Sequence, residues 1–448
     1  MIIELDQPAE QMLRHGWQSW SPTDIARVGI DTDPSRGSQH PSLLRWWHHA
    51  DPAVAAEGEL RSELFTVIDG RCWGAVGASQ HDTTFRLQAD RRTLVVEGGD
   101  VHEVREFASP AAWAAAQPDV RPGAPFQVGW CSWYQYFHDV TEAAVRSNLR
   151  IAARDEWPFT VFQVDDGFQS EIGDWLTTDD NFPSGLEQLA ADIAAEGFTP
   201  GLWIAPFLAS PRSRVAAEHP DWLVRYKDRN LIGNVNPGWG GETWVLDTTN
   251  PEVLAHLESL ARSLRQIGFP YLKLDFTYAP ALPGTYHDPA PAPAARVRAG
   301  YDAIRRGAGD DAFLLACGAP LGPVVGVVDG CRIGPDVAPW WKLPLPPFAP
   351  DYAATEPATE GAWRSTIQRQ FMHRRLWLND PDCLLLRPGA IEEPWRTTWA
   401  MAVAQSGGMV LLSDDLSLLS KDDLALFRDV VEAGRAVDST LLCQLDGA

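Results

Sequence analysis

From residue 126 onward, short apolar runs alternate with helix-length amphipathic stretches, and this alternation restricts the fold more than any other feature. Strands that alternate with helices form parallel sheets. Eight such units in one run predict a closed (β/α)8 barrel, a TIM barrel of the α/β class, over residues 126–437. The predicted strands are 126–130, 161–164, 201–206, 271–276, 313–317, 330–333, 376–378 and 409–412, with amphipathic segments such as 140–154, 186–196, 251–267 and 296–306 between them.

Residues 1–120 follow a different pattern. Short extended pieces such as 64–68 and 93–96 are separated by Gly, Pro and Asp, which is typical of strands joined by turns. Residues 111–125 then have the Pro- and Gly-containing composition of a linker. The sequence therefore predicts a small β-rich N-terminal region ahead of the barrel.

Charge and composition restrict the partners and the compartment. The 448 residues carry a net charge of −23, and this acidity argues against nucleic acid as a partner. The chain contains no run of about 18 apolar residues that would span a membrane, and its start lacks the pattern of a signal peptide. The six cysteines form no CxxC pair. We expect a cytoplasmic protein with reduced thiols, and the sequence leaves its oligomeric state open.

Acidic residues lie at the ends of three of the predicted strands, on the face where TIM barrels carry their active sites. Asp165 and Asp166 follow the second strand, Asp275 lies at the end of the fourth, and Asp336 lies just beyond the sixth. Lys273 precedes Asp275 by two positions, so both side chains should point into the barrel mouth. We expect this ammonium group to lie near the Asp275 carboxylate and to lower its pKa. Two carboxylates that meet across the mouth at roughly 5–5.5 Å are the arrangement of retaining glycosidases.

Each candidate also has a structural interpretation. An isolated Asp275 would be a capping or ion-paired residue, but the inward Lys and the three acidic strand ends favour a functional role. Asp165 and Asp166 suit sugar hydroxyls, provided that Gly167 bends the chain, although an Asx turn or a hard-cation site fits the same residues. No His spacing for catalytic zinc is present, so we predict chemistry without a metal or other cofactor.

Three further residues near the predicted strand ends remain open between structure and function. Arg332 fits a barrel-end ion pair as well as a substrate contact. Cys317 fits the core. Trp133, one of 20 tryptophans, fits either the core or the wall of a sugar site.

Seven segments in one order resemble the α-galactosidases of glycoside hydrolase family 36. They are GWCSWY at 129–134, FQVDD at 162–166, GLWIAPF at 201–207, KLDF at 273–276, CGAP at 317–320, RIGPD at 332–336 and WLNDPDC at 377–383. The resemblance is dense over residues 126–415, and WQSW at 17–20 extends it into the N-terminal region. Members of this family usually carry a larger N-terminal β-sandwich and a C-terminal β-domain than this sequence provides.

The resemblance implies a retaining double displacement, with Asp275 as nucleophile and Asp336 as acid/base. Asp336 should then titrate at a higher pH than Asp275. By the same matching, Asp165 and Asp166 would hold the 4- and 6-hydroxyls of galactose. The remaining residues implied to line the sugar site are Lys273, Cys317, Arg332, Trp133, Trp203 and Trp20.

The expected activity is removal of terminal α-galactosyl groups from small oligosaccharides. Transglycosylation shares its first half-reaction, and an α-N-acetylgalactosaminidase would differ only in the room near the 2-position. From another class, a sugar-binding barrel without catalysis is disfavoured because both carboxylates, the Lys and the Asp pair are present.

Overall fold

The computed structural model describes residues 1–31, 58–77, 82–98, 103–121, 123–343 and 357–446. His48, His49 and most of the Pro-rich stretch 343–357 lie outside these ranges. Among the described residues, no helix is both long and apolar enough to cross a membrane. None of the six cysteines, all of which are described, forms a disulfide.

The N-terminal region is β-rich, as predicted, and consists of two antiparallel sheets. One has the order β1-β8-β7-β4 and the other β3-β2-β5-β6-β9. Alternate residues of β7 are buried, and Phe85 and Leu87 pack with Met12, Ile68 and Trp73 of the second sheet in one apolar core. The nine strands are β1 Ile2–Glu4, β2 Gln11–His15, β3 Thr23–Arg27, β4 Leu60–Glu63, β5 Phe65–Ile68, β6 Arg71–Val76, β7 Thr83–Leu87, β8 Thr93–Gly98 and β9 Glu103–Phe107.

The predicted barrel is confirmed. Its parallel strands pair in chain order, and the last, β23, pairs with the first, β10, so the sheet closes. The seventh strand is split at Pro381 and Asp382 into β21, which pairs with β20, and β22, which pairs with β23. The strands are β10 Val128–Cys131, β11 Val161–Val164, β12 Thr199–Ile204, β18 Tyr271–Leu274, β19 Phe313–Ala316, β20 Gly330–Arg332, β21 Leu378–Asp380, β22 Cys383–Leu384 and β23 Val410–Leu412.

Local sequence signals set the helix bounds. Asn250 caps the longest predicted helix through its side chain, which accepts from the Glu252 amide, and Gly268 ends it with a φ of 125°. Thr141 caps an earlier helix by accepting from the Ala144 amide. The helices are α1 Pro110–Ala115, α2 Trp133–Tyr136, α3 Glu142–Arg154, α4 Gly185–Ala195, α5 Arg214–Glu218, α6 Pro251–Ile267, α7 Pro293–Ala308, α8 Leu321–Val324, α9 Thr359–Arg369, α10 Trp395–Gln405 and α11 Lys421–Asp446.

A long insertion between β12 and α6 was not predicted. It contains the short strands β13 Leu208–Ala209, β14 Arg225–Tyr226, β15 Arg229–Asn230, β16 Ile232–Asn236 and β17 Gly241–Val245. Strands β16 and β17 form a hairpin whose tip is the 3-10 turn Pro237–Trp239. Because the insertion follows a barrel strand at its carboxyl end, it lies on the active-site face of the barrel.

The loop between β2 and β3 attaches the N-terminal region to the same face of the barrel. The Ser19 amide donates to the Ala319 carbonyl at 2.9 Å, directly after β19. The buried Arg369 guanidinium of α9 donates to the Ser19 and Gln18 carbonyls at 2.7 and 3.3 Å. These bonds fix the loop that carries Trp20.

Candidate active site

The acidic strand ends are brought together at the barrel mouth. Asp275 directly follows β18, and its amide donates to the Ile204 carbonyl of β12 at 2.9 Å. One oxygen of its carboxylate accepts from the Trp203 indole at 3.0 Å, and the other accepts from the Phe276 amide at 2.7 Å. Two donors on a buried carboxylate fix its orientation and favour its charged form.

Lys273 has a different partner from the one that its spacing predicts. Its ammonium group donates to Asp165 at 2.9 Å, and no hydrogen bond to Asp275 is observed among the described residues. Lys273 still favours the charged form of Asp275 through space, but burial outweighs it and raises the pKa of Asp275. The predicted lowering of this pKa is therefore wrong, because the effect of burial exceeds that of the cation, which donates its hydrogen bond to Asp165 instead.

Asp165 is embedded in a network of donors. Besides Lys273, its Oδ2 atom accepts from the Gln163 amide nitrogen at 2.6 Å and from the Cys131 thiol at 3.4 Å. Burial works against the charge of Lys273, yet the Asp165 carboxylate raises the pKa of that ammonium group well above its usual range. Lys273 therefore stays positively charged inside the barrel.

Asp166 also points into the site, because Gly167 bends the chain with a φ of 120°, as predicted. One of its oxygens accepts from the Trp239 indole at 2.6 Å and lies 3.2 Å from the His138 Nδ1 atom. The other accepts from the Gln169 amide nitrogen at 2.6 Å. Consecutive carboxylates thus have separate sets of donors within one pocket.

Asp336 lies beyond the end of β20, where Arg332 holds its carboxylate. The guanidinium Nη1 atom donates to both Asp336 and Asp382 at 2.9 Å, and Nε donates to Asp380 at 3.2 Å. The Asp336 side chain is 33% exposed, whereas that of Arg332 is 2% exposed.

The charge of Asp275 also affects the titration of Asp336. Burial raises the pKa of Asp336 against the opposing effect of Arg332, and the negative charge of Asp275 raises it further. Both carboxyls therefore have raised pKa values, and the expected order of their titration stays a prediction, as does their separation.

Aromatic rings surround these carboxylates. The buried Trp203 ring packs on Trp175 and Trp239, with centroids 5.7 and 6.2 Å away. Trp20 meets Phe276 edge-on at 5.0 Å and lies so close to Gly318 that a Cβ atom there would be 2.8 Å from the indole.

The other two residues that the sequence singled out differ in exposure. Trp133 is half-buried and contacts His138 at 5.1 Å. Cys317 is buried after β19, and burial raises the pKa of its thiol well above the usual range. A protonated thiol of this kind is weakly polar and is not a nucleophile.

Sequence reasoning missed several residues of this site. Asp382 stands in the WLNDPDC segment, and its carboxylate accepts from Arg332, the Val337 amide and, in a short hydrogen bond, the Tyr134 hydroxyl. The NDPD pattern at a strand end could have indicated it. His138 and Trp239 carry no such signal, because only the folded loops bring them to Asp166. Among the described residues, no cluster of His, Cys, Asp and Glu suits a metal ion.

Similarity to known proteins was found by sequence. Residues 131–283 match the Melibiase family model. The α-galactosidase AgaA of Geobacillus stearothermophilus is 28% identical over 152 residues, which is 32% of this chain and 20% of that protein. α-Galactosidase 2 of Pediococcus pentosaceus is 31% identical over 125 residues, 28% of this chain and 17% of that protein. The matched segments thus span about a fifth of these relatives.

Similarity in structure extends further along the chain. The α-galactosidase TtGalA of Thermus thermophilus, solved in complex with p-nitrophenyl α-D-galactopyranoside, superposes with a TM-score of 0.80 at 30% identity, covering 95% of this chain and 87% of that one. The family 36 enzyme AgaA superposes with a TM-score of 0.63 at 14% identity, covering 98% of this chain and 62% of that one, which supports the fold alone. From this extent of similarity, the chain is a member of the α-galactosidase family of glycoside hydrolases, family 36.

Proposed function

We propose that this chain is a retaining exo-α-galactosidase that hydrolyses terminal α-D-galactosyl groups from oligosaccharides. The observation that carries the proposal is the pair of carboxylates at one mouth, held by different partners. Asp275 accepts two hydrogen bonds in a fixed orientation. Asp336 is partly exposed and forms an ion pair with Arg332. The negative charge of Asp275 raises the pKa of Asp336.

In the first step, a carboxylate oxygen of Asp275 attacks the anomeric carbon while Asp336 donates its proton to the glycosidic oxygen. The bond between the anomeric carbon and that oxygen breaks, and a covalent galactosyl-enzyme remains. Asp336, now ionised, then takes a proton from water. The resulting hydroxyl attacks the same carbon and releases Asp275, so the product keeps the α configuration.

The raised pKa of Asp336 fits the role of acid, whereas burial also raises the pKa of Asp275 and works against its role as nucleophile. A raised pKa at Asp336 keeps a proton available for the leaving group. The donors Trp203 and Phe276 oppose the effect of burial on Asp275 and favour its ionised form. Once Asp336 has given its proton to the leaving group, Arg332 stabilises the resulting Asp336 carboxylate.

The galactose ring would be bound by the remaining polar side chains of the mouth. Asp165 and Asp166 would accept hydrogen bonds from the 4- and 6-hydroxyls, and Trp203 and Trp20 would cover apolar C–H faces of the sugar. Lys273, Cys317, Arg332 and Trp133 would complete the lining. TtGalA has also been solved with stachyose, an α-galactosyl oligosaccharide, which supports a carbohydrate of this class as substrate.

The anomer of the galactose first released, followed by NMR, tests the mechanism directly. We expect α-galactose to appear first and to mutarotate later; early β-galactose would reject the retaining assignment.

Comparison of rates on nitrophenyl α-galactoside, α-glucoside and α-N-acetylgalactosaminide tests the substrate class. We expect the α-galactoside to be preferred. A preference for the acetamido sugar would instead indicate an α-N-acetylgalactosaminidase.

Asp275→Gly tests the nucleophile. We expect turnover to be abolished, and added azide to restore part of it with a product of inverted configuration, because azide can occupy the space of the missing carboxylate. Unimpaired hydrolysis by this variant would remove Asp275 from its assigned role. The matched control is Asp302→Asn on α7, a carboxylate paired with Arg298 away from the mouth, which should leave the rate unchanged.

A further inference from the structure

Asp166 is held by side chains from three separate loops. His138 follows β10, Gln169 follows β11, and Trp239 lies at the tip of the insertion after β12. His138 Nδ1 and Trp239 Nε1 lie 3.2 and 2.6 Å from the same carboxylate oxygen. Because neither residue belongs to the barrel strands, the orientation of Asp166 depends on how these loops pack against each other.

The His138 ring lies in space that a side chain at residue 238 would fill, so this position requires glycine. A Cβ atom at Gly238 would lie 2.2 Å from the imidazole Nε2 atom and 2.3 Å from Cδ2. The ring therefore packs directly on the backbone of the Pro237–Trp239 turn, and it meets Trp133 edge-on at 5.1 Å. The imidazole thus contacts both Asp166 and the turn that presents Trp239 to Asp166.

His138 is partly exposed to solvent, unlike the carboxylate that it contacts. Its side chain is 30% exposed, whereas that of Asp166 is 3% exposed. Burial lowers the pKa of His138, but the carboxylates of Asp166, Asp139 and Asp165 outweigh it and raise this pKa. A donor that gains positive charge beside a buried carboxylate holds it more firmly than a neutral one.

We propose that His138 is a positioning residue for the sugar site, acting through Asp166 and through the Pro237–Trp239 turn. It fixes the carboxylate that receives a sugar hydroxyl, so that the sugar meets an acceptor whose direction is already set. This proposal rests on the proposed function, since it assigns the wall of the pocket that binds the galactosyl ring. His138 lies beyond the carboxylates that carry the reaction, so its loss weakens binding rather than bond cleavage.

The test compares His138→Ala with His138→Asn on p-nitrophenyl α-galactoside. Loss of one hydrogen bond to a charged group predicts a KM roughly tenfold higher for the Ala variant, with kcat within about threefold of wild type. An Asn amide nitrogen takes nearly the position of the imidazole Nδ1, so we expect the Asn variant to recover most of the affinity. A purely structural role for His138 would not produce this split or this recovery.

Gly238→Ala approaches the same contact from the turn. The added methyl group must displace the imidazole, so we expect it to reproduce the rise in KM while His138 is still present. His256→Asn is the control. This half-buried residue of α6 packs against Trp222, outside the proposed sugar site. It should leave KM unchanged.

Three outcomes would overturn the inference. His138→Ala could leave KM within twofold of wild type. It could lower kcat and kcat/KM equally. The Asn variant could be as impaired as the Ala variant. In each case the wild-type enzyme still turns over the galactoside, so the proposed function survives. A wild-type protein that neither hydrolyses the galactoside nor binds galactose in calorimetry would instead reject the proposed function, and this inference with it.

Discussion

Removal of the indole donor from Asp275 should shift the acidic limb of the pH–rate profile. Trp203→Phe keeps an aromatic ring against Trp175 and Trp239 but deletes the N–H group that donates to Asp275 at 3.0 Å. A hydrogen bond to a charged group contributes about 1.5–3 kcal/mol. At about 1.4 kcal/mol for each pH unit, its loss raises the pKa of the nucleophile by about 1–2 units.

The assay is kcat/KM for p-nitrophenyl α-galactoside between pH 3 and 9. The nucleophile must be ionised, so activity falls below the lower pKa of the Asp275–Asp336 pair, and that limb should move upward by about 1–2 pH units. The alkaline limb, which reports loss of the acid's proton, should stay in place. At a pH on the acidic limb, the loss in kcat/KM is then about 10- to 100-fold.

Trp175→Phe is the matched control. Its ring is as deeply buried and adjoins Trp203, so it tests the effect of a smaller ring without removing the donor to Asp275. We expect reduced stability but an unmoved acidic limb. If Trp203→Phe leaves that limb within about 0.3 pH units of wild type, this hydrogen bond does not set the ionisation of Asp275.

Three further changes test other parts of the site. Asp336→Ala should reduce turnover of natural galactosides far more than that of nitrophenyl galactosides, because a good leaving group needs no proton; equal losses on both would remove it from the acid role. Gly318→Ala should raise KM, since the new methyl group would lie 2.8 Å from Trp20 and 3.0 Å from the Phe276 amide, and the backbone φ there is +53°; an unchanged KM would show that Trp20 does not contribute to binding. Burial raises the pKa of Asp382 from 3.8 to about 6, so the folded state holds a proton that the unfolded state releases between these values, and stability falls as pH rises through this window. Asp382→Asn should therefore flatten the pH dependence of the unfolding free energy between about pH 4 and 6, measured by urea denaturation, and an unchanged slope would contradict the assignment.

Much of the site follows from sequence because parallel strands in a barrel end on one face. Asp165, Asp275 and Asp336 each follow an apolar run, and that position alone brings them to the mouth. Gly167 signalled the bend that turns Asp166 inward. The barrel and the β-rich N-terminal region follow from periodicity, since burial on one or both faces of a strand leaves a direct record in the residue pattern.

The pairing of charges and the packing of loops were decided only by the tertiary structure. Lys273 of β18 binds Asp165, which follows β11, rather than Asp275, and this contact past the intervening strand β12 depends on how the barrel packs. His138 and Trp239 reach Asp166 from loops that are far apart in the chain, and no local pattern encodes that contact. Local sequence fixes which side chains face the mouth, whereas distances of a few ångströms between loops fix their partners and their pKa values.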